Sequence, residues 1–321
     1  MSTKLKTIAG AVIPLLLGLA FTVYSYCSFS PAERDVMKSY FVTANYYYVA
    51  LSLALAVSGY ILRAHRWRHT LAQIGVKPEF RLNFLAVSIG YFVNLTIPRS
   101  GEFSRALVLK NYRGVPFDKA FGTIVAERIV DFFLLLAFIL AAVVWEYDTL
   151  RDFLLQHIPI KKLLILAVIC LVGMLISLYL YFKSEWKLVL LLKEKVNGLK
   201  EGAISVFRIP HKGMFLLETL LIWISYVLMF YTTTLALDET SGISFGSVLV
   251  AFVIGSLVIA FTNGGFGFFP PLVASILFLY AVPREAGTAF GWIVWTSQFV
   301  ITVFLGIFGF LALTFTPKTK I

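Results

Sequence analysis

Charge is what this sequence has least of. Asp, Glu, Lys and Arg together make up 14% of 321 residues, against roughly 25% in an ordinary soluble domain. Acidic residues are the scarcer sign, 17 against 28 basic, leaving a net charge of +11. Cysteine occurs only twice, at Cys27 and Cys170, in or beside apolar runs. That excludes a disulfide framework and a thiolate metal site. There are four histidines, His65, His69, His157 and His211, and no HExxH. His65 and His69 stand four apart but are flanked in sequence by Arg66 and Arg68, so the expectation is that no metal binds. No glycine-rich loop is followed by Lys and Ser/Thr, so a nucleotide site is not indicated and no cofactor is expected.

What is present is apolar: 59% of the residues are hydrophobic, and 30 are Phe. A soluble fold of this size cannot hide that much apolar surface, because surface scales too steeply with mass. The residues arrive in long runs, which implies spanning helices and not a barrel. The expected fold is all-α, a polytopic helical membrane protein in one transmembrane domain over 1–321. A spanning helix needs about 20 apolar residues. Runs that qualify lie at roughly 8–27, 42–62, 120–144, 161–182, 214–237, 244–262, 270–283 and 287–315, which gives about eight crossings. The first is read as a retained helix and not a signal peptide, since Thr7–Ala32 is long and has no clear small-x-small cleavage site before Pro31.

The basic residues sit in short connections and set orientation and contact with anionic lipids; they do not form a nucleic-acid surface. Segments 63–81 and 99–119 are both net positive, and Lys4, Lys6, Lys318 and Lys320 flank the ends. The positive-inside rule places these segments and both termini in the cytoplasm, in the cell (inner) membrane. The apolar run 82–98 between two positive segments is then a re-entrant or broken element. Residues 184–207 mix Trp and Leu with lysines and read either as an interfacial amphipathic helix at the cytoplasmic face or as an ordinary intracellular connector.

Three constellations stand apart. In Asn94-Leu95-Thr96-Ile97-Pro98-Arg99-Ser100-Gly101-Glu102-Phe103-Ser104-Arg105, helix breakers sit beside charges. A helix restarting there would present free N–H groups to a phosphate, with Arg99 and Arg105 adding charge-assisted bonds. Glu102 and Arg105, three apart, share a face and can pair. The second is Glu127-Arg128-x-x-Asp131 at the start of a span. Arg128 and Asp131 can meet, leaving Glu127 for Arg99, Arg105 or a head group. The third is Thr262-Asn263-Gly264-Gly265-Phe266-Gly267-Phe268-Phe269-Pro270-Pro271, inside a 44-residue uncharged stretch, 240–283. Gly264, Gly265, Gly267 and Pro270 cannot continue a regular helix, and they form a second break. Two broken elements in the two halves point to a transporter's central site, with Pro98, Gly101 and these residues as hinges. Each constellation has a plainer reading: a locked turn, a structural ion cluster, a packing kink.

These strings resemble the transmembrane region of lysylphosphatidylglycerol synthases, flippase-like membrane proteins. The likeness rests on "NLTIPRSGEFSRALVLKNYRGVPFDKAFGTIVAERIVD" and "GGFGFFPP". The first is similar to the family pattern Asn…Pro-x-x-Gly-Glu-x-x-Arg followed by Glu-Arg-x-x-Asp, which picks out Asn94, Pro98, Gly101, Glu102, Arg105, Glu127, Arg128 and Asp131. The second departs from Pro-Gly-Gly-x-Gly-x-x-Glu: Asn263 stands at the Pro and Pro270 at the Glu. The resemblance implies translocation of a phospholipid or a polyprenyl-phosphate-linked precursor. Asn94, Arg99, Glu102, Arg105, Glu127, Arg128 and Asp131 would bind the substrate: the arginines hold the phosphate, while Glu102, Glu127 and Asp131 position them or meet a cationic head group, and no residue is assigned a catalytic role. A partner glycosyltransferase or aminoacyl-lipid synthase is the expected company. The alternatives are a membrane-embedded transferase with Glu102 or Glu127 as base, and a lipid- or partner-binding accessory.

Overall fold

A computed structural model describes residues 16–97, 99–157, scattered positions between 165 and 190, 208–262 and 264–318. Pro98, nearly all of the 184–207 segment and most of the run 161–182 lie outside the described residues. Among those described, every regular element is a helix. In chain order they are α1 (Leu16–Cys27), α2 (Pro31–Thr43), α3 (Tyr46–Gln73), α4 (Phe80–Thr96), α5 (Ser100–Arg113), α6 (Phe117–Trp145), α7 (Tyr147–His157), α8 (Lys212–Thr234), α9 (Asp238–Ser241), α10 (Phe245–Phe261), α11 (Phe269–Phe278) and α12 (Arg284–Thr314). Four of them, α3, α6, α8 and α12, are long and apolar enough to cross a membrane. The chain is an all-α polytopic membrane protein, as its composition requires.

Local chemistry sets the ends. α2 opens on a capping box, in which the Ser30 side chain accepts from Glu33 N–H and the Glu33 carboxylate accepts from Ser30 N–H. α3 opens on Asn45, whose side chain accepts from Tyr47 N–H. It then runs 28 residues before reaching a stop at Gly75, which has φ +76°. The expected span ended at residue 62, whereas the helix continues unbroken from Arg63 to Gln73. Its Arg63 and Arg66 are buried.

The two breaks make two helical hairpins. In the first, α4 and α5 lie antiparallel. Gly90 and Gly101 pack backbone on backbone, so that a methyl group on either would collide with the other's carbonyl. Arg113 closes the open end, donating from Nη2 to Glu79 at 3.2 Å and from Nη1 to the Pro317 carbonyl at 3.0 Å. In the second, α10 (17 residues) and α11 (10 residues) are joined through Gly264, Gly265 and Gly267, with φ +61°, +81° and +78°. Ten helical residues span about 15 Å, half a hydrocarbon core. α10 and α11 pack on each other across this turn, Gly255 meeting the Phe269 ring.

α12 serves as the common spine. The first hairpin approaches its C-terminal half, where Gly309 packs on Ile89 and Gly306 on Phe92. The second approaches its N-terminal half, where Gly287 packs on Ala274 and Gly291 on Pro270. The tips meet near the middle. Leu95 of the first tip touches Gly264 of the second, and Trp295 Nε1 donates to the Gly264 carbonyl at 2.8 Å. Each hairpin has its own apolar core. Trp67, Leu85 and Leu109 centre the first, and Phe230, Phe252 and Phe290 the second.

Candidate functional site

At the first break the helix does restart at Ser100. Arg99 is its N-cap, in the left-handed region at φ +61°. The Asn94 side chain accepts from Gly101 N–H at 2.7 Å, so Asn94 spends its oxygen bracing the turn. Arg99 itself is exposed at the tip.

Behind the tip lies a buried cluster of charge built by α3, α5 and α6. Asp131 accepts from Arg66 Nη1 at 2.7 Å and Nη2 at 3.1 Å, from Arg63 Nη1 at 3.1 Å and from Arg128 Nη1 at 3.4 Å. Glu127 accepts from Arg105 Nη2 at 3.1 Å and lies 3.7 Å from Arg66 Nε. Glu102 lies 3.1 Å from Arg128 Nε. The Arg128–Asp131 pair expected from the sequence is present. The expected Glu102–Arg105 pair is not: each turns instead toward α6, Glu102 to Arg128 and Arg105 to Glu127. A same-helix pair is weak and exposed, whereas α6 offers an opposite charge in the interior.

The sequence reading missed Arg63 and Arg66. Neither hydropathy nor charge counting finds them, but the lack of any proline, or of any glycine other than the isolated Gly59, between Tyr46 and Gly75 does. Further polar groups reach the cluster from α4 and α8. Thr219 accepts from Arg66 Nη1 at 3.2 Å, and Tyr226 accepts from Arg63 Nε at 2.6 Å and meets Tyr91 hydroxyl-to-hydroxyl at 3.3 Å. Arg105 stacks over Trp67, 4.1 Å from the ring centroid, which holds a desolvated guanidinium by cation–π attraction.

Two properties matter chemically. Four guanidinium groups (Arg63, Arg66, Arg105, Arg128) face three carboxylates (Glu102, Glu127, Asp131), which leaves one positive charge in excess. Buried Nε atoms of Arg66 and Arg105 have no hydrogen-bond partner. Exposure is also graded: the side chain of Arg66 is 0% exposed, Glu127 1%, Arg105 4%, Glu102 19% and Arg128 36%. Exposed Val125 and Phe132 stand three residues before and four after Arg128 on the same face of α6, so an arginine emerges on an apolar face.

The second break presents no charge. Its Gly264, Gly265 and Gly267 adopt positive φ, and Gly267 packs on the Gly18 backbone. Pro270 sits in the first turn of α11. A cavity of about 250 Å³ lies beside it, between Tyr26 and Phe29 on one side and Gly267, Pro271 and Trp292 on the other. It is apolar and away from the charge cluster, which is the stronger site because polar groups give specificity. Gly242-Ile243-Ser244-Phe245-Gly246 has the spacing of a nucleophile elbow. Here Ser244 is the N-cap of α10, and its side chain meets Ser247 and Glu146. No strand precedes it, so it is a cap.

Comparison with known proteins places this geometry in context. The family model described as "Lysylphosphatidylglycerol synthase TM region" matches residues 8–315. The UPF0104 membrane protein MJ1595 of Methanocaldococcus jannaschii is 24% identical over 254 residues, 70% of this chain and 73% of that protein. Glycosyltransferase AglD of Haloferax volcanii is 27% identical over 132 residues, 41% of this chain but only 20% of that protein. No solved structure matches the chain.

Proposed function

This chain belongs to the lysylphosphatidylglycerol synthase transmembrane-region family, and from that premise we propose that it translocates a phospholipid or lipid-linked phosphate between leaflets. The observation that carries the reading is the buried cluster with an excess positive charge, one edge of which opens on a lipid-facing apolar surface beside the hairpin tips. A phosphate entering at Arg99 and Arg128 would meet progressively more buried guanidinium groups, while its chains stay on Phe103 and Phe132. Arginine suits this because its planar fork binds phosphate bidentately. Ionisable groups at membrane depth are costly and mark substrate paths. Hairpins that enter from opposite ends and meet midway support alternating access, with the positive-φ glycines as hinges.

The same geometry supports a topology. Arg113, Glu79 and Pro317 lie together at one end of the helices, the end that the proposed orientation puts in the cytoplasm. Arg284 reaches Ser28, and Ser244 reaches Glu146, at the other. With both hairpins re-entrant, α3, α6, α8 and α12 are the crossings of this reading among the described residues, and both termini are proposed to lie in the cytoplasm. The transferase reading is weaker, because Glu102 and Glu127 already face arginines and no donor group is placed beside them. The local likeness to a named glycosyltransferase keeps a polyprenyl-phosphate-linked substrate beside phosphatidylglycerol.

Proteoliposomes carrying head-group-intact fluorescent phosphatidylglycerol or polyprenyl phosphate test this. Leaflet exchange should exceed that of empty vesicles and fall at least about tenfold in Arg128→Ala and Arg105→Ala. No exchange of either lipid above the empty-vesicle rate would overturn it.

A further inference from the structure

Three of the four histidines converge at one place outside the charge cluster. His65 and His69 are one turn apart on α3, with ring centroids 5.7 Å apart. His211, the residue before α8, lies 6.5 Å from His69 by ring centroid. Between them stands Glu218 of α8, 2% exposed inside an apolar helix. Its Oε1 contacts His65 Nδ1, and its Oε2 lies 3.4 Å from His69 Nε2. Glu218 Oε2 and His69 Nε2 are both buried without a hydrogen-bond partner. Two such atoms facing each other in a buried site call for something between them, either a shared proton or a cation.

From this juxtaposition the geometry points to a transition-metal site of zinc type, with His65, His69 and Glu218 as ligands and His211 within reach of a fourth position. This inference is independent of lipid translocation. Imidazole and carboxylate suit zinc, cobalt and nickel over calcium or magnesium. The three ligand atoms lie within 4.8 Å of one another. Tetrahedral zinc needs separations of about 3.3 Å. His65, whose side chain is 33% exposed, can supply that contraction. The flanking arginines do not bar a cation as their sequence position suggests. Helical periodicity turns Arg66 away into Asp131. Arg68 contacts the outer ring nitrogen, Nε2, of His65 and must swing outward on loading, which its half-buried position allows. The site ties α3 to α8 where both approach the cytoplasmic end. Thr219, next to Glu218, bonds Arg66, so loading would stiffen the wall behind the cluster.

The test is cobalt(II) and zinc(II) titration of the full chain in detergent, tag removed and chelator-stripped. The expected result is one metal per chain, tetrahedral cobalt absorption that zinc abolishes, and a rise in thermal midpoint. His69→Ala and Glu218→Gln should weaken cobalt binding on the order of tenfold or more. His65→Ala, at the exposed side, is the variant least exposed to folding failure, and should do the same. Binding at less than one metal per chain, or equal binding by wild type and His65→Ala, would overturn the site. Either result would leave Glu218 held by histidine protons alone.

Discussion

Glu127→Gln separates a head-group site from a structural ion cluster, because the two make opposite predictions. The side chain is 1% exposed, and its Oε2 holds Arg105 Nη2 at 3.1 Å while Oε1 stands 3.7 Å from Arg66 Nε. Replacing the carboxylate by an amide of the same shape releases one charge-assisted bond and raises the excess charge of the cluster from one to two. Such a bond is worth about 1.5–3 kcal/mol, and about 1.4 kcal/mol is tenfold in affinity. If a phosphate competes with Glu127 for Arg105, the variant binds anionic lipid roughly tenfold to a hundredfold more tightly. Turnover falls, because the head group is released more slowly. Arg105→Ala lowers both affinity and turnover. Breaking a buried pair costs about 3–5 kcal/mol, so both variants lose thermal stability, and stability alone does not discriminate. The assay is phosphatidylglycerol binding to the protein in zwitterionic nanodiscs, read beside the leaflet-exchange rate. Equal loss of affinity in Glu127→Gln and Arg105→Ala would refute competition and leave the cluster a structural lock.

Two further outcomes follow from the packing. Gly101→Ala should destabilise the fold by about 1–3 kcal/mol, because its methyl group meets the Gly90 carbonyl, a backbone atom that cannot rotate aside; Gly122→Ala, with open space around it, should not, and thermal melts of the two in one detergent decide it. The Glu33 carboxyl is held below the ordinary carboxylate range, chiefly by the Ser30 backbone N–H and then by its hydroxyl. A depressed folded value means the cap stabilises α2 above the ordinary range and is lost as pH falls through the folded value, so hydrogen-exchange protection over 31–43, measured against the intrinsic rate at each pH, should fall on acidification in wild type and be already low and flat in Glu33→Ala.

The two breaks were legible because Gly and Pro act locally: three glycines within four positions cannot be helix whatever surrounds them. The charges on α5 and α6 were legible for the same reason, sitting beside a break. Arg63 and Arg66 were not, because their burial depends on Asp131, 68 and 65 residues away, and a hydropathy window sees only neighbours. It scored them as cytoplasmic charge, while the helix-stop rule would have carried α3 to Gly75. Glu218 was hidden by its surroundings: one carboxylate in an apolar run barely lowers the average, and its partners lie on α3. Nor could length in sequence show that α10 and α11 pack against each other across the turn at Gly264.

The distribution of charge between α5 and α6 bears on how the hairpin could move. α5 carries a carboxylate and then an arginine one turn on, Glu102 and Arg105. α6 carries Glu127, Arg128 and, one turn on, Asp131. Each helix thus alternates sign along its contact line. An interior ion that loses its partner costs several kcal/mol, so a cluster with a single pairing pattern would freeze the hairpin in place. Alternation removes that barrier. Sliding α5 by one turn, about 5.4 Å, offers Arg105 the carboxylate of Asp131, while Arg63 and Arg66 remain to neutralise what is displaced. A head-group phosphate lowers the barrier further, because it can bridge Arg105 and Arg128 midway, when neither carboxylate is in register. In the proposed cycle the substrate is therefore the missing anion of the transition, and the hairpin moves fastest when loaded. Exchange of labelled lipid should accordingly be coupled to movement of the Leu95–Gly264 contact. A cross-link between cysteines placed at 95 and 264 should stop exchange while leaving lipid binding at Arg128 intact. Exchange that continues at the uncross-linked rate would separate the two hairpins from transport.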